Sequence, residues 1–453
     1  MNDQPTTSGA ATTSRRQFLR KTGAAAVAST LAGTLSIARS AHAAGDDTLK
    51  VALVGCGGRG TGAVVQALST KGPVKLWAMA DLFEDKIEKS LAALEKANPG
   101  QYDRQAHGSM TDRLDVAPER RFVGFDAYKQ AIDSGVDVVI LTTQPHFRPL
   151  QFEYAVQQGK HVFMEKPVAT DVPGIRQVLA AAKLAKEKNL KVGVGFQRHH
   201  DASYVEVINR LRDGAVGPVQ FLRCYWNSSG ARAPFERTPG MGEMEYQLRS
   251  AYYFTWISGD HIVEQHVHNL DVCNWIMGDH PVSAQGQGGR QVRVGPLFGD
   301  IFDHHCVEYT YADGTKMISQ CRHIPGCWNY VGEYAVGLKG QSDVGGGVIE
   351  AGGDRWRFRG EKTNPYQVEH DVLFDAIRND RPHNEAEYGA MTTMTAIMGR
   401  MATYSGQVVQ WDEAIRSEVS LSPDRYAWDG TPSVLPGPDG FYPCAVPGVT
   451  KVL

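Results

Sequence analysis

A glycine-rich turn opens the part of the chain whose residues could do chemistry. The apolar run at residues 49–54 ends at Gly55, and Gly57, Gly58, Arg59 and Gly60 follow before a helical pattern over residues 61–68. Glycines here let the backbone approach a pyrophosphate, and the N-terminus of the next helix offers free N–H groups. Because strand, turn and helix follow in this order, we expect all five residues to bind a dinucleotide.

An aspartate stands at the end of the next apolar run. Residues 74–80 predict a second strand, and Asp81 follows it directly. A carboxylate there accepts hydrogen bonds from the ribose hydroxyls and repels a 2′-phosphate, so it favours NAD over NADP. The neighbouring Lys86 could reverse this preference. The alternative interpretation is a plain glycine turn followed by a helix-capping aspartate.

The tripeptide Glu165-Lys166-Pro167 follows the short apolar run at residues 161–164. Doubly wound sheets bind ligands at the carboxyl ends of their strands, so Glu165 and Lys166 are expected near the cofactor. An ammonium group there can hydrogen-bond a substrate hydroxyl and stabilise negative charge that develops on its oxygen. At an arbitrary position the same tripeptide would be a surface turn.

A second set of chemical groups is predicted on a helix over residues 262–277. The spacing of Glu264, His268 and Asp271 is i, i+4 and i+7, which places two acids and an imidazole on one face. Because imidazole titrates near neutrality, His268 could take the proton of a substrate alcohol, with Glu264 or Asp271 fixing its tautomer. The alternative is a polar helix face whose residues pair toward solvent.

Histidines are concentrated in one part of the chain. Nine of the 15 fall between His199 and His323. Glu264, His266 and His268 cannot all face one ion on a regular helix, so we predict no metal site, although His266 with a loop histidine is an alternative. We expect these imidazoles to line a polar, sugar-sized pocket together with Trp256, Arg322 and Trp328.

The order of the remaining patterns predicts how these groups are positioned. Short apolar runs at residues 136–141, 161–164 and 192–196 alternate with helical stretches at 150–158 and 172–187. This alternation predicts an α/β fold with an N-terminal Rossmann-type, doubly wound parallel sheet. Near Gly214 the pattern changes to β-type segments, which predict a C-terminal α+β domain with an open sheet. The predicted boundaries are 44–197 for the NAD-binding domain, 198–411 for the substrate and oligomerisation domain, and 412–453 for an extended tail.

Composition and the N-terminus narrow the class of protein. A net charge of −3 with no basic cluster argues against a nucleic-acid partner. Arg15-Arg16 precedes an uncharged run and the Ala41-His42-Ala43 cleavage pattern, which predicts a twin-arginine export signal over residues 1–43 and a periplasmic or otherwise exported protein. That run is shorter than a membrane span and rich in small residues, so no stable span is expected. Seven cysteines form no scaffold, although Cys321 and Cys327 could bridge.

The glycine loop, the Glu-Lys-Pro tripeptide, the helix motif and the open sheet occur in an order that resembles the Gfo/Idh/MocA family, named for glucose–fructose oxidoreductase and inositol dehydrogenase. The resemblance extends over about residues 49–411. It implies that Lys166 and His268 correspond to the catalytic lysine and histidine of the family. Glu264 takes the place of the family's aspartate, and Asp271 that of the following acidic residue.

The resemblance also implies further cofactor contacts and shows departures from the family pattern. Thr143, His146 and Gln197 are expected beside the cofactor, although residues 142–148 match the family's nicotinamide-side loop only loosely and Arg148 stands where a histidine is common. His266 replaces a glycine, so we expect a bulkier and more basic helix face toward the substrate.

Together these features favour an NAD(P)-dependent oxidoreductase of a secondary hydroxyl on a sugar, polyol or glycoside. His268 would act as acid and base, and Lys166 would steady the oxygen. One alternative is a glycosidase that uses tightly bound NAD for transient oxidation, elimination and reduction. Another is a nucleotide-binding protein without catalysis. A homo-oligomer, dimer or tetramer, is expected because open sheets often pair with a second copy.

Overall fold

A computed structural model describes residues 47–97, 110–230 and 232–453. The predicted export signal lies outside these ranges. The helices and strands given below belong to one compact unit that starts at Leu49. Within the described ranges, no helix combines the length and the apolar character that a bilayer crossing requires.

The first half of the unit contains a six-stranded parallel sheet in the order β3-β2-β1-β4-β5-β6. Its strands are β1 Leu49–Val54, β2 Val74–Asp81, β3 Arg121–Val123, β4 Val138–Leu141, β5 His161–Met164 and β6 Val192–Val194. All four residues of the central strand β4 are buried, as expected for a strand covered on both faces by helices. The predicted doubly wound sheet is confirmed, and its order reverses between β1 and β4.

Five helices accompany these strands. They are α1 Gly58–Leu68, α2 Glu84–Leu94, α3 Ala127–Asp133, α4 Arg148–Gln157 and α5 Val172–Glu187. Helix α1 begins directly after the glycine turn, with Gly57 as its N-cap and no capping side chain. Helix α5 begins where the Asp171 side chain accepts a hydrogen bond from the Gly174 nitrogen at 2.9 Å. The N-terminus of α1 has no such side-chain partner, so a ligand can accept hydrogen bonds from its free N–H groups.

The second half contains a nine-stranded mixed sheet in the order β14-β13-β12-β11-β7-β10-β9-β8-β15. Its strands are β7 Val219–Ser228, β8 Ser283–Gly289, β9 His304–Thr310, β10 Lys316–His323, β11 Tyr330–Gly337, β12 Gly340–Asp343, β13 Val348–Ala351, β14 Asp354–Arg357 and β15 Val409–Gln410. Burial alternates residue by residue along β10, which indicates one covered and one open face. This agrees with the predicted open-sheet domain.

The described residues after β6 form eight α-helices, of which some pack on the second sheet and others on the first. They are α6 Ala202–Arg212, α7 Glu243–Arg249, α8 Thr255–Ser258, α9 His261–Glu264, α10 Val267–Met277, α11 Pro365–Arg378, α12 Ala386–Ser405 and α13 Trp411–Ala414. Helix α12 is buried along most of its length and contacts α5 and β6 as well as β8 and β9. The two sheets therefore share one core.

The single helix predicted over residues 262–277 is wrong. The chain forms two helices, α9 and α10, which are separated at Gln265 and His266. The His266 nitrogen donates to the His261 carbonyl five residues back, at 3.1 Å, so one residue bulges out of the regular helical repeat. The simple i, i+4 relation between Glu264 and His268 is consequently lost, whereas His268 and Asp271 stay three residues apart within α10.

The C-terminal segment lies over both halves without regular structure. Residues 420–453 contain no helix or strand. Trp428 packs against Phe83 and Phe125 of the first half, and Tyr442 against Phe254 of the second. Proline and glycine remove or weaken the backbone hydrogen bonds of regular elements, so side-chain contacts fix this segment.

The suggested bridge between Cys321 and Cys327 is wrong. All seven cysteines are free, and Cys321 is buried whereas Cys327 is exposed. Cys321 belongs to β10 and its side chain faces the covered side of the sheet, while Cys327 lies in the turn beyond that strand.

Candidate active site

The glycine turn is shaped by a close approach of two loops. Gly55 has a φ of +99°, and a side chain there would collide with the backbone of Thr142 and Thr143. Gly60 packs against the Gly55 carbonyl, to which the Thr142 hydroxyl donates at 2.6 Å. These two glycines are therefore required by the fold of the turn itself.

The next two glycines leave space rather than fill it. A side chain added at Gly57 or Gly58 would meet no atom within 4 Å. Both line a cavity into which the uncapped N-terminus of α1 opens. Backbone N–H groups and a helix dipole directed at an open cradle suit a pyrophosphate.

Asp81 is fixed beside this cradle. Its carboxylate accepts hydrogen bonds from the backbone nitrogens of Cys56, at 2.6 Å, and Phe83, at 3.0 Å. Burial raises the pKa of Asp81, and the two backbone donors and Lys86 oppose that rise. Lys86 lines the same cavity. The carboxylate is thus oriented and retains lone pairs for ribose hydroxyls.

The cavity lies where five strands of the first sheet end. Four of its lining residues directly follow a strand: Gly55 follows β1, Thr142 follows β4, Glu165 follows β5 and Gly195 follows β6. Asp81, the last residue of β2, lines it as well. The opposite wall comes from residues 232–258 and from Glu264 and His268. The carboxyl edge of a doubly wound sheet is the usual ligand site of this fold, so both sets of predicted residues meet at one cavity.

Lys166 and Glu264 face each other across this cavity. The Lys166 ammonium donates to the Glu264 backbone carbonyl, and Nζ lies 3.4 Å from Glu264 Oε1. Burial raises the pKa of Glu264, and Lys166 opposes that rise. Glu264 Oε2 is buried and has no hydrogen-bond partner among the described residues. The pair therefore holds an ammonium group with one carboxylate oxygen still available.

His268 lines the cavity as a neutral imidazole. Its ring stacks on Trp226, with centroids 6.1 Å apart, and meets the edge of Phe196. Burial holds the pKa of His268 well below its usual value, and Lys166, Arg198 and Arg59 lower it further. Within the described ranges its Nδ1 is buried and has no hydrogen-bond partner. The ring is held by packing, and it is in the form that can accept a proton.

Asp271 lies one turn after His268 on α10, as predicted, but its side chain does not line the cavity. Its carboxylate contacts His199 Nε2 at 2.8 Å and accepts from the Thr392 hydroxyl at 3.1 Å. Burial lowers the pKa of His199, but Asp271 outweighs that effect and the net shift is upward. Neither Asp271 nor Glu264 hydrogen-bonds His268, so the proposed fixing of its tautomer by these acids is wrong. The Asp271 carboxylate is held instead by His199 and Thr392, and Glu264 contacts Lys166.

His266 was expected to crowd the substrate side of the helix, and this is also wrong. The residue is fully buried, and its Nε2 lies 2.7 Å from the Ser319 hydroxyl and 3.7 Å from Cys224 Sγ. It thus packs between the helix and the second sheet and is unavailable to the cavity or to a loop histidine.

The prediction that several histidines line the pocket is also wrong. Of the nine histidines between His199 and His323, only His268 lines the cavity. Trp256 is buried against His146, and Trp328 is exposed and stacked on Tyr330. Arg322 donates to the Trp328 carbonyl at 2.7 Å. The polar character of the cavity instead comes from arginine, lysine and carboxylate groups.

His146 is the one predicted cofactor residue that the structure places outside the cavity. Its Nε2 contacts the Tyr426 hydroxyl at 2.8 Å, and Nδ1 lies 3.3 Å from the Thr170 hydroxyl. Burial lowers its pKa to about 4. Thr143 of the same loop does line the cavity. His146 anchors that loop to the C-terminal segment.

Arg59 and Glu165 form a charged network on the floor of the cavity. Arg59 pairs with Glu165, donates to Gln66 at 2.8 Å and lies 3.2 Å from Glu369. The Glu165 carboxylate occupies the space that a Gly195 side chain would need. Gln197 also lines the cavity and donates to the Tyr366 hydroxyl at 3.0 Å.

Several lining residues carried no signal in the sequence. Arg148 was noted only as a departure, yet it is buried and donates to the carbonyls of Thr143 and Pro167. Burial lowers its pKa to about 10, against the effect of Glu165 and Glu264. Arg232, Arg249 and Tyr252 come from a stretch without strong periodicity. The charged and aromatic character of that stretch was its only feature that is typical of a binding site.

A second group of ionisable residues lies outside the cavity. Ligand-type atoms of Asp260, His261 and His305 come within 4.8 Å of one another. The Asp260 carboxylate lies 2.7 Å from His261 Nδ1 and 3.2 Å from His305 Nε2, and it accepts from the Tyr404 hydroxyl at 2.7 Å. The carboxylate joins both imidazoles and none of the three residues lines the cavity, so we assign them a structural role.

Comparisons with known proteins agree with this geometry in the first half of the chain. Residues 49–196 match the GFO_IDH_MocA family model, described as an oxidoreductase family with an NAD-binding Rossmann fold. Inositol 2-dehydrogenase of Ralstonia nicotianae is 26% identical over 249 residues, which are 54% of this chain and 59% of the relative. The scyllo-inositol 2-dehydrogenase (NAD(+)) of Bacillus subtilis is 25% identical over 36% of this chain and 42% of its own length. The chain thus spans about half the length of these relatives.

Solved structures extend the likeness of the fold to both halves. An aldose-aldose oxidoreductase from Caulobacter crescentus, complexed with glycerol, has a TM-score of 0.61 and 19% identity over 80% of this chain and 99% of its own. A scyllo-inositol dehydrogenase from Lactobacillus casei, with bound NAD(H) and scyllo-inositol, has a TM-score of 0.58 and 19% identity over 81% of this chain and 100% of its own. These similarities establish the two-part architecture.

Proposed function

Because residues 49–196 match an oxidoreductase family with an NAD-binding Rossmann fold, we propose that the protein oxidises or reduces a secondary hydroxyl of a sugar, polyol or glycoside. The observation that carries the proposal is that Lys166 and His268 line the same cavity as the glycine turn. An ammonium group and a neutral imidazole there are what transfer of an alcohol proton requires.

The residues of the cavity suit NAD. Open space at Gly57 and Gly58, together with the N-terminus of α1, would hold the pyrophosphate, and Asp81 would bind the ribose hydroxyls. When bound, NAD supplies the acceptor or donor of the hydride. Asp81 favours NAD over NADP because a carboxylate repels a 2′-phosphate.

His268 and Lys166 have complementary roles in this proposal. A neutral imidazole can take the hydroxyl proton in oxidation and return it in reduction. The Lys166 ammonium, held by the Glu264 carbonyl, would donate a hydrogen bond to the same substrate oxygen and stabilise its negative charge. Glu264 is a positioning residue here, because its contact is with Lys166.

The direct test is reduction of NAD by the purified protein with a panel of inositols, aldoses and methyl glycosides. We expect reduced nicotinamide to appear with at least one of them. In Lys166→Ala and His268→Ala the rate should fall while NAD still binds. Arg322→Gln is the matched control, because Arg322 lies outside the cavity. Equal rates in all four proteins would contradict the proposed roles.

The same preparation separates the redox activity from the alternative of an NAD-dependent glycosidase. The protein is incubated with p-nitrophenyl glycosides without added NAD. Steady release of nitrophenol would identify the glycosidase. Formation of a keto-sugar only in step with an added acceptor would identify the oxidoreductase.

We further propose that the protein is exported through the twin-arginine pathway and carries NAD that was bound before export. A lysine pair in place of Arg15 and Arg16 should keep the protein in the cytoplasmic fraction.

We also propose that the protein is a homo-oligomer, which light scattering of the mature protein tests.

A further inference from the structure

A second cavity adjoins the proposed active site. Its volume is about 470 Å³, which falls within the range of roughly 300–1,000 Å³ that small-molecule sites occupy. Arg232, Ala233 and Tyr253 line both cavities. A ligand bound near His268 can therefore extend past these three residues into the second space.

The charged residues that line the second cavity are all cationic. Arg232 and Arg293 line it, and none of its ten described lining residues is an aspartate or a glutamate. Arg293 is buried and lies 5.4 Å from the ring centroid of Tyr253. The Tyr253 hydroxyl donates to the Arg232 carbonyl and so fixes the backbone at the junction of the two cavities. The wall offers cationic donors for a group that brings negative charge.

His323 adds a buried donor without a partner. It lines the cavity, is only 3% exposed, and its Nδ1 lies 2.7 Å from a terminal nitrogen of Arg293. A guanidinium can only donate, so Nδ1 accepts and the proton of a neutral ring is on Nε2. Burial, with His261 and Arg293, holds the pKa of His323 far below its usual value, so the ring is neutral. Its Nε2 has no partner among the described residues.

An unpaired buried donor destabilises the free protein, and a ligand acceptor removes that penalty. The ring itself is kept in place by Arg293 and by stacking on His261, with centroids 4.4 Å apart. The donor is thus held in position before a ligand arrives, which lowers the entropic cost of binding.

We propose that this second cavity is a subsite for a carboxylate on the substrate, recognised by Arg232, Arg293 and His323. The substrate is then an acidic glycoside of at least two units, with a secondary hydroxyl of one unit at His268 and a uronate on the next. This assignment rests on the proposed function for the position of the reacting unit only. The anion preference follows from the second cavity itself.

Binding of two matched disaccharides to the mature NAD-loaded protein tests the proposal. Glucuronosyl-β-1,4-glucose carries the carboxylate, and cellobiose is its neutral counterpart. Calorimetry should show at least about tenfold tighter binding of the acidic disaccharide, because a hydrogen bond to a charged group contributes about 1.5–3 kcal/mol. Equal affinities for the two sugars would overturn the proposal.

Variants identify the residues that cause the preference for the acidic disaccharide. The ratio of the two affinities is compared within each protein, so that a loss of folded protein cancels. In Arg232→Gln and His323→Phe the ratio should fall to about threefold or less, while Arg322→Gln on the same strand should keep the wild-type ratio. His323→Gln restores an N–H donor and should recover part of the preference. A ratio unchanged in both Arg232→Gln and His323→Phe would place the anion elsewhere and overturn the proposal.

Failure of the subsite and failure of the proposed function give different results. Reduction of NAD with neutral sugars but no anion preference leaves the function standing and removes the subsite. An anion preference that depends on Arg232 and His323, without reduced nicotinamide from any sugar, keeps the subsite and removes the redox role.

Discussion

Two buried histidines seven residues apart, His261 and His268, differ in their surroundings. His268 lines the proposed active site, and its Nδ1 has no partner in the described part of the chain. His261 and His305 lie outside that cavity, and both contact the Asp260 carboxylate. Burial lowers the pKa of His261 to about 4 and that of His268 well below 6.5.

Burial and a depressed pKa therefore do not distinguish a reactive histidine from a structural one in this protein. The difference lies in the partners and in the space next to the ring. The Asp260 carboxylate accepts from the Tyr404 hydroxyl and the Phe302 nitrogen and also contacts the two imidazoles. It therefore connects three segments of the second half, those of His261, of Phe302 and His305, and of Tyr404. His268 is held by aromatic packing at the wall of the cavity, and its Nδ1 has no hydrogen-bond partner among the described residues.

The largest effect is expected on turnover when His268 is changed. His268→Ala should lower kcat by about 10²–10⁴-fold, the usual contribution of general acid–base catalysis. The midpoint of urea unfolding should fall only by the lost packing of the ring on Trp226 and Phe196, because no hydrogen bond to another element is removed. Steady-state kinetics and urea denaturation of the same preparation measure both. A large loss of stability with kcat preserved would place His268 in the structural class.

The reverse pattern is expected at Asp260. Asp260→Asn removes the buried charge that two imidazoles share, and breaking such a group typically costs about 3–5 kcal/mol of unfolding free energy. Turnover per folded molecule should stay near that of the wild type. Asp354→Asn, on an exposed edge strand, is the matched control. An unchanged denaturation midpoint in Asp260→Asn would refute the structural role of the cluster.

Acid should separate stability from activity. The pKa of His261 is about 4 in the folded protein against 6.5 ordinarily. As the pH falls from 6.5 to about 4, the unfolded chain binds a proton that the folded chain does not, so unfolding free energy decreases by up to about 1.4 kcal/mol per pH unit from this residue. The pKa of Asp260 is held below 3.8, so its contribution is lost only as the pH falls below that value.

Urea denaturation over this pH range measures how steeply the unfolding free energy depends on pH. His280→Gln should not change this dependence, because His280 lies outside the cluster.

The pH dependence of activity should differ from that of stability. A depressed pKa keeps His268 unprotonated, so the acidic limb of kcat/KM for oxidation should lie below pH 6.5. A limb at or above pH 6.5 would show that a different group acts as the base.

The smallest effect is expected at Asp271. Its carboxylate contacts His199 and Thr392 and does not line the cavity. Asp271→Asn should lower kcat by no more than a few-fold, through a small movement of α10. Kinetics beside His268→Ala test this, and losses of equal size would restore Asp271 to the catalytic set.

The cofactor side of the site could be predicted from the sequence because local rules govern it. Each parallel strand ends at the same edge, so Gly55, Asp81 and Glu165 had to meet once their strands were recognised. Of the predicted cofactor residues, His146 alone is placed outside the cavity. It is drawn away by Tyr426, which lies 280 residues further along the chain.

The substrate side could not be predicted in the same way. A single bulge at His266 changed the direction of Glu264 relative to His268, and helix periodicity gives no warning of a bulge. Arg232 and Tyr252 reach the cavity from a stretch without periodicity, and His323 meets Arg293 only because two segments of the second domain fold together. Contacts of this kind depend on tertiary packing.

We propose that hydride passes at the cavity shared by the glycine turn, Lys166 and His268. The most direct test is a single turnover of the NAD-loaded protein with a sugar or polyol deuterated at the reacting carbon, followed by mass spectrometry of the nicotinamide. We predict that the deuterium appears on the reduced nicotinamide in the wild type and in Arg322→Gln, and only at a much lower rate in His268→Ala. Deuterium released to water, with none on the nicotinamide, would contradict the account.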